Sequence, residues 1–259
     1  MTKPMLAIFF GHGNPMNTLD RNAWTEGWSA IGKEIPKPKA VLAVSAHWYI
    51  PGTFVTAIPA PRTIHDFGGF PRELYEVKYP APGDPNLATR VQKLLAPIKV
   101  GLDMKWGLDH GTWSVLHHVF PQADIPVIQL SIDNTQPAGF HYEIGKRLAP
   151  LRDEGVLIMG SGNLVHNLHA YAWGQRHIEP FDWAVQFEER IHELLLAHED
   201  GPLIEYEGLG SNAMLSVPTP DHYLPLLYVI ALRTGLEQVS FPIKGFDGGS
   251  ISMLAVKIG

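Results

Sequence analysis

Histidine is the residue type through which this chain advertises chemistry: His12 in FFGHGNP, His47 in VSAHW, His166 in GSGNLVHN and His222 in PTPDHY. Imidazoles that converge make a metal site, and a chain of 259 residues with no cysteine must build it from nitrogen and oxygen donors. The first three follow short apolar runs of β type, predicted at Leu6–Phe10, Val41–Ser45 and Val156–Met159, and His222 opens a helical pattern. In an open α/β sheet, the crevice beyond the carboxyl ends of the strands is where ligands bind. Glycines on both sides of His12 let the backbone turn sharply close to a ligand. Thr219 or Asp221 is placed to cap the helix that His222 starts.

Two further histidines stand in loop-like sequence. His110, in WGLDHGTW, can act as acid, base or hydrogen-bond partner, with Asp109 or a backbone carbonyl fixing its tautomer. His65, in HDFGGF, sits among aromatic residues suited to lining a substrate pocket. The other seven (His117, His118, His141, His169, His177, His192 and His198) fall in or beside helical segments and read as surface or packing residues. Gly160-Ser161-Gly162 lacks the G-x-S-x-G spacing of a nucleophile elbow. Neither HExxH, a P-loop nor a dinucleotide fingerprint is present.

The elements that must carry these residues alternate. Further β-type runs are predicted at Phe54–Ile58, Ile98–Leu102, Val127–Ser131, Gln238–Ile243 and Ser250–Lys257. Helices are predicted at Asn22–Ile31, Asp84–Leu95, Pro137–Leu151 and Trp183–His198; Asp84-Pro85 is an N-cap followed by proline at the first helical position. Such alternation predicts a single α/β domain over 1–259, with a mostly parallel central sheet flanked by helices on both faces. The last two runs, joined through Gly245-Phe246-Asp247-Gly248-Gly249, predict a hairpin that adds antiparallel strands at an edge.

Composition narrows the function classes. The net charge is −6 with scattered basic residues, which argues against nucleic acid or an anionic membrane as partner. No window reaches the roughly 18 apolar residues of a membrane span, and the N-terminal apolar run is too short for a secretory signal, so a cytoplasmic location is expected. The oligomeric state is left open: Trp24, Trp28 and Trp173 suit either an interface or internal packing.

The blocks GHGNPM, VSAHW, TIHDFGGFP, YPAPGDP, WGLDHGTW, SGNLVHN, VPTPDHYLPLLYV and SISMLAVKIG follow one another along nearly the whole chain. Together they resemble the class III extradiol ring-cleavage dioxygenases, and more narrowly their DOPA 4,5-dioxygenase-like branch. The resemblance implies a non-haem Fe(II) or Zn(II) centre and insertion of both atoms of O₂ into a catechol to give a muconic semialdehyde. It implies His12, His47 and His222 as metal ligands, the last replacing the glutamate of protocatechuate-type relatives. It further implies His166 as the catalytic acid/base that can also touch the metal, and His110 as a second catalytic histidine. His65, Trp48, Phe67 and Trp113 are candidates for the substrate pocket walls.

Coordination arithmetic separates the roles. Two catechol oxygens and O₂ need three exchangeable positions on a six-coordinate ion, which three protein ligands leave open. A permanent fourth ligand would leave two, so His166 should be off the metal during turnover and a ligand only in a resting or zinc form. With Zn(II), all four imidazoles could close a tetrahedron. A zinc hydrolase or a non-catalytic zinc-binding protein on the same histidines are therefore the competing readings.

Overall fold

The computed structural model describes residues 3–175, 177–235 and 237–259. Ten strands and ten α-helices are found among them. The strands are β1 (Ala7–Gly11), β2 (Ala40–Ile50), β3 (Thr53–Thr56), β4 (Val100–Asp103), β5 (Val127–Asp133), β6 (Val156–Gly162), β7 (Val239–Ile243), β8 (Phe246–Asp247), β9 (Ile251–Ser252) and β10 (Ala255–Ile258). The first five helices are α1 (Ala23–Glu34), α2 (Arg72–Glu76), α3 (Pro85–Leu94), α4 (His110–Val119) and α5 (Ala138–Leu148). The others are α6 (Pro150–Asp153), α7 (Asp182–Ala197), α8 (Asp200–Ile204), α9 (Ser211–Ser216) and α10 (Leu224–Ile230).

Eight strands form one sheet in the order β4-β3-β5-β2-β6-β1-β10-β7. Its centre, β5-β2-β6-β1, is parallel throughout. Strand β3 pairs antiparallel with β5 on one side, and β10 antiparallel with β1 on the other. Strands β1, β5 and β6 are buried along their length and β2 as far as Ala46, as parallel strands covered on both faces must be. Alternate side chains enter different cores. Ala7, Phe9, Leu42 and Val44 pack with α3, α5, α7 and α10, whereas Ile8, Phe10, Val41 and Met159 pack with α1 and α4. Trp28 and Trp24 belong to that second core, so they are packing residues rather than an exposed face.

Three sequence expectations need correction. Strand β2 does not stop at Ser45 but runs to Ile50, and its register against β5 shifts between Val44 and Tyr49. The C-terminal run splits in two: β9 pairs with β8 in a separate two-stranded ribbon, and β10 joins the main sheet between β1 and β7. Neither Thr219 nor Asp221 supplies a side-chain cap where the chain turns helical; Pro220–His222 is a single 3₁₀ turn that leads into α10. The cap read from Asp84 is made, its Oδ1 accepting from the Leu87 N–H, and the structure adds one at Asn22, whose Oδ1 accepts from the Trp24 and Thr25 N–H groups. Among the described residues, no helix is long and apolar enough to cross a membrane.

Candidate active site

The carboxyl ends of β1, β2 and β6 lie side by side, and the four histidines meet there. His12 follows β1, and its backbone N–H donates to the Gly162 carbonyl at the end of β6 (3.0 Å). Gly13 comes next with φ of 59°, and a Cβ there would strike the Met253 sulfur. His47 lies inside the extended β2, in the stretch where pairing to β5 shifts register, and such irregularities re-aim side chains. His222 ends the 3₁₀ turn, whose backbone presses against the end of β6: a Cβ on Gly162 would sit 2.1 Å from the His222 carbonyl oxygen. His166 is held by its N–H to the Ser216 carbonyl (2.8 Å) and by a bridge to Ile251.

His12, His47 and His222 each offer a nitrogen within 4.8 Å of the other two, a group able to hold a metal ion. His166 stands outside that group, its ring stacked on His222 at 3.5 Å between centroids and 4° from parallel. His12 Nδ1 lies 3.0 Å from Ser161 Oγ, and that hydroxyl donates to the Gly111 carbonyl. Its only proton spent, Ser161 must accept from His12 Nδ1–H, which leaves a lone pair on Nε2. The Asp221 carboxylate likewise accepts a hydrogen bond from His222 Nδ1–H. His47 Nε2 faces His12 Nε2 at 3.1 Å. Two nitrogens each about 2.1 Å from one ion at a right angle stand about 3.0 Å apart, so this spacing suits shared ligation.

Electrostatics favour the ligating form. Burial, reinforced by neighbouring histidines, holds His12 and His47 well below the usual imidazole range, and burial together with His222 does so for His166. Neutral imidazoles have the lone pair a metal needs. Burial opposes ionisation of Asp221, but its bond to His222 outweighs that and keeps the carboxylate charged. Among the described residues, no side chain hydrogen bonds the His166 ring.

His110 opens α4, which Asp109 caps through the Thr112 N–H (3.1 Å). Its ring centroid is 3.9 Å from that of His47 and 5.5 Å from that of His12. Asp109 is not its partner, contrary to one reading of the sequence: it is buried against Ser45 and Gln129. Asp66 takes that place, bonding the His110 backbone N–H (2.8 Å) and Nδ1 (2.9 Å).

A cavity of about 260 Å³ opens over the histidines. His12, His47, His110, His166 and His222 form its floor, and Phe70, Leu168, Tyr171, Trp173 and Ile251 its apolar wall. None of the four residues expected to wall it is among those that line it. Trp48 is buried and stacked on Trp106, and Trp113 is buried with its indole donating to the Ile64 carbonyl (2.7 Å). His65 donates to the Val77 carbonyl (3.0 Å). Phe67 sets its ring edge to face with His110 and Phe70, supporting the wall from behind. Sequence reasoning missed Ser161, Asp66 and the wall residues Leu168, Tyr171 and Trp173. Asp66 and Ser161 fall within the motif blocks HDFGGF and GSGNLVHN, but no sequence spacing ties them to distant imidazoles.

An α/β sheet with a histidine group able to hold a metal ion at its strand ends, under a small apolar cavity, defines the class: a pocket for a small organic molecule beside a candidate metal site. The family described as Catalytic LigB subunit of aromatic ring-opening dioxygenase matches residues 6–231, and the chain belongs to it. It is a class III, non-haem extradiol dioxygenase. The chain is 50% identical to the 4,5-DOPA dioxygenase extradiol of Escherichia coli (strain K12), over 98% of this chain and 95% of that one. It is 37% identical to the enzyme of the same name from Beta vulgaris, over 95% and 93%. The crystal structure of an uncharacterized protein from Escherichia coli K12 superposes with a TM-score of 0.85 at 46% identity, covering 98% of this chain and all of that one.

Proposed function

We propose that the chain is a metal-dependent dioxygenase that opens a DOPA-like catechol between carbons 4 and 5, with Fe(II) held by His12, His47 and His222. The observation that carries the reading is the imidazole trio itself. His12 and His222 are buried and His47 half-buried, their ligand atoms lie within 4.8 Å of each other, and two of the imidazoles have Nδ1 tied to an oxygen so that Nε2 is left for a ligand. The relatives named for 4,5-DOPA cleavage support the substrate class. When bound, Fe(II) would hold catechol and O₂ together and supply a route for electron density between them.

The chain's own residues do the rest. Phe70, Leu168, Tyr171 and Trp173 flank the ring and keep water from it. His166, neutral and stacked parallel to His222, accepts the proton of the catechol hydroxyl and returns it as the ring opens. His110, on the opposite side of the trio against His47, accepts a hydrogen bond from the substrate's second hydroxyl.

The test is anaerobic reconstitution with Fe(II), addition of L-DOPA or a simple catechol, then admission of air. A yellow semialdehyde formed with stoichiometric oxygen uptake is expected. Activity on an ester or amide with Zn(II) and no oxygen uptake would instead establish a hydrolase. Metal binding with neither activity would leave a zinc-binding protein.

A further inference from the structure

With His12 Nδ1–H donating a hydrogen bond to Ser161, His12 Nε2 is an acceptor, and His47 Nε2 faces it at 3.1 Å. Two tautomers of His47 are then open. With the proton on Nε2, His47 donates to His12 and closes the metal site with a hydrogen bond. With the proton on Nδ1, both Nε2 lone pairs face the space between them. The side chain on the other flank of His47 is Asp66, whose Oδ2 lies 3.3 Å from His47 Nδ1 and 2.9 Å from His110 Nδ1. Its Oδ1 accepts from the His110 backbone N–H.

We infer that Asp66 is the positioning residue of this site: one carboxylate holds His47 and His110 together in the Nδ1–H tautomer and so keeps the metal-free trio from closing on itself. This rests on His12, His47 and His222 being the metal ligands. A carboxylate has only acceptors, so a ring nitrogen facing it is favoured with its proton and disfavoured as a lone pair. The contact to His110 is a full hydrogen bond. The longer contact to His47 still decides between two otherwise similar tautomers. A single loop residue thereby prepares two imidazoles at once: His47 presents a lone pair to the metal, and His110 presents one to the cavity. His110 therefore meets substrate as an acceptor of a hydroxyl proton rather than as a donor.

Asn is the discriminating replacement. Its amide can offer oxygen to the His110 backbone N–H or to the ring nitrogens, but not to both, since the other position becomes an NH₂ donor. Imidazole ¹⁵N–¹H correlation spectra of the ¹⁵N-labelled, metal-free protein at neutral pH read the tautomers directly. His47 and His110 should carry the proton on Nδ1 in the native chain and shift toward Nε2–H in Asp66→Asn. Ser161→Ala, which among these imidazoles bonds only that of His12, should leave both unchanged. Zn(II) affinity of Asp66→Asn, measured by chelator competition, should fall roughly 10- to 100-fold.

The inference is overturned by an Nε2–H tautomer at His47 or His110 in the native protein, or by native-like tautomers and affinity in Asp66→Asn. Binding of a second Zn(II) that Asp66→Asn abolishes also overturns it, since Asp66 would then be a ligand. If the variant does not fold, by circular dichroism, the native spectrum alone decides. The tautomers are read without iron, catechol or O₂, so a chain that opened no catechol would still reveal what Asp66 does.

Discussion

Each histidine at this site is defined by what holds its far nitrogen. Ser161 holds His12, Asp221 holds His222 and Asp66 holds His110. His166 has no such tether among the described residues and is instead stacked on His222. A ring so placed can approach or leave a proton without breaking a second bond. Replacing it tests the division between ligands and acid/base: His166→Ala should lower ring opening by about 10²- to 10⁴-fold while metal content by elemental analysis stays near that of the native protein. Complete loss of metal would contradict that division. The residue types were legible in the sequence because histidine beside glycine at strand ends is a strong chemical signal. The tethers were not, since Ser161 lies 149 positions from His12 and Asp66 lies 44 from His110.

At the level of elements, the site depends on how closely the 3₁₀ turn carrying His222 approaches β6. Gly160 and Gly162 make that approach possible, because side chains there would meet the carbonyls of Pro225 and His222 at 2.6 and 2.1 Å. Gly162→Ala should therefore push the turn outward and move His222 away from His12 and His47. The expected outcome is metal affinity at least tenfold weaker and a loss of stability of about 1–3 kcal/mol, read by chelator competition and urea unfolding. Native-like values for both would show that the turn has slack. Strand and helix positions were largely readable from apolar runs and caps. The extension of β2 was not, because VSAHWYI is as compatible with a strand end as with a continued strand. Pairing with β5 beyond the register shift decided it.

For the whole molecule, two levers act on stability. Metal binding to a preformed site adds to it by mass action, by about 4 kcal/mol when free metal is about a thousandfold above its Kd. Removing metal with a chelator should lower Tm, and restoring it should return Tm; no change would argue against ligation by the folded trio. The second lever is Glu188, buried on α7 and bonded to Ser252. Burial pushes its carboxyl up from 4.5 to about 7. Between those values the native state keeps a proton that the unfolded chain has released, so stability falls as pH rises from about 4.5 to about 7. The loss is at most about 3 kcal/mol. Glu188→Gln keeps the shape and removes the titration. Its Tm relative to the native chain should therefore rise across that window, and a constant difference would refute the assignment.

By itself the sequence determined the α/β alternation, the histidines at strand ends and, through ordered blocks along nearly the whole chain, the dioxygenase family. These are local facts: periodicity, turn residues and residue type are written within a few positions of one another. Only the tertiary structure decided which aromatic residues face the cavity. Trp48 and Trp113 face the packed interior, and Leu168, Tyr171 and Trp173 form the wall. It also decided which oxygen holds each imidazole. Both depend on the direction of a side chain and on what another part of the chain brings against it, and neither is encoded in spacing.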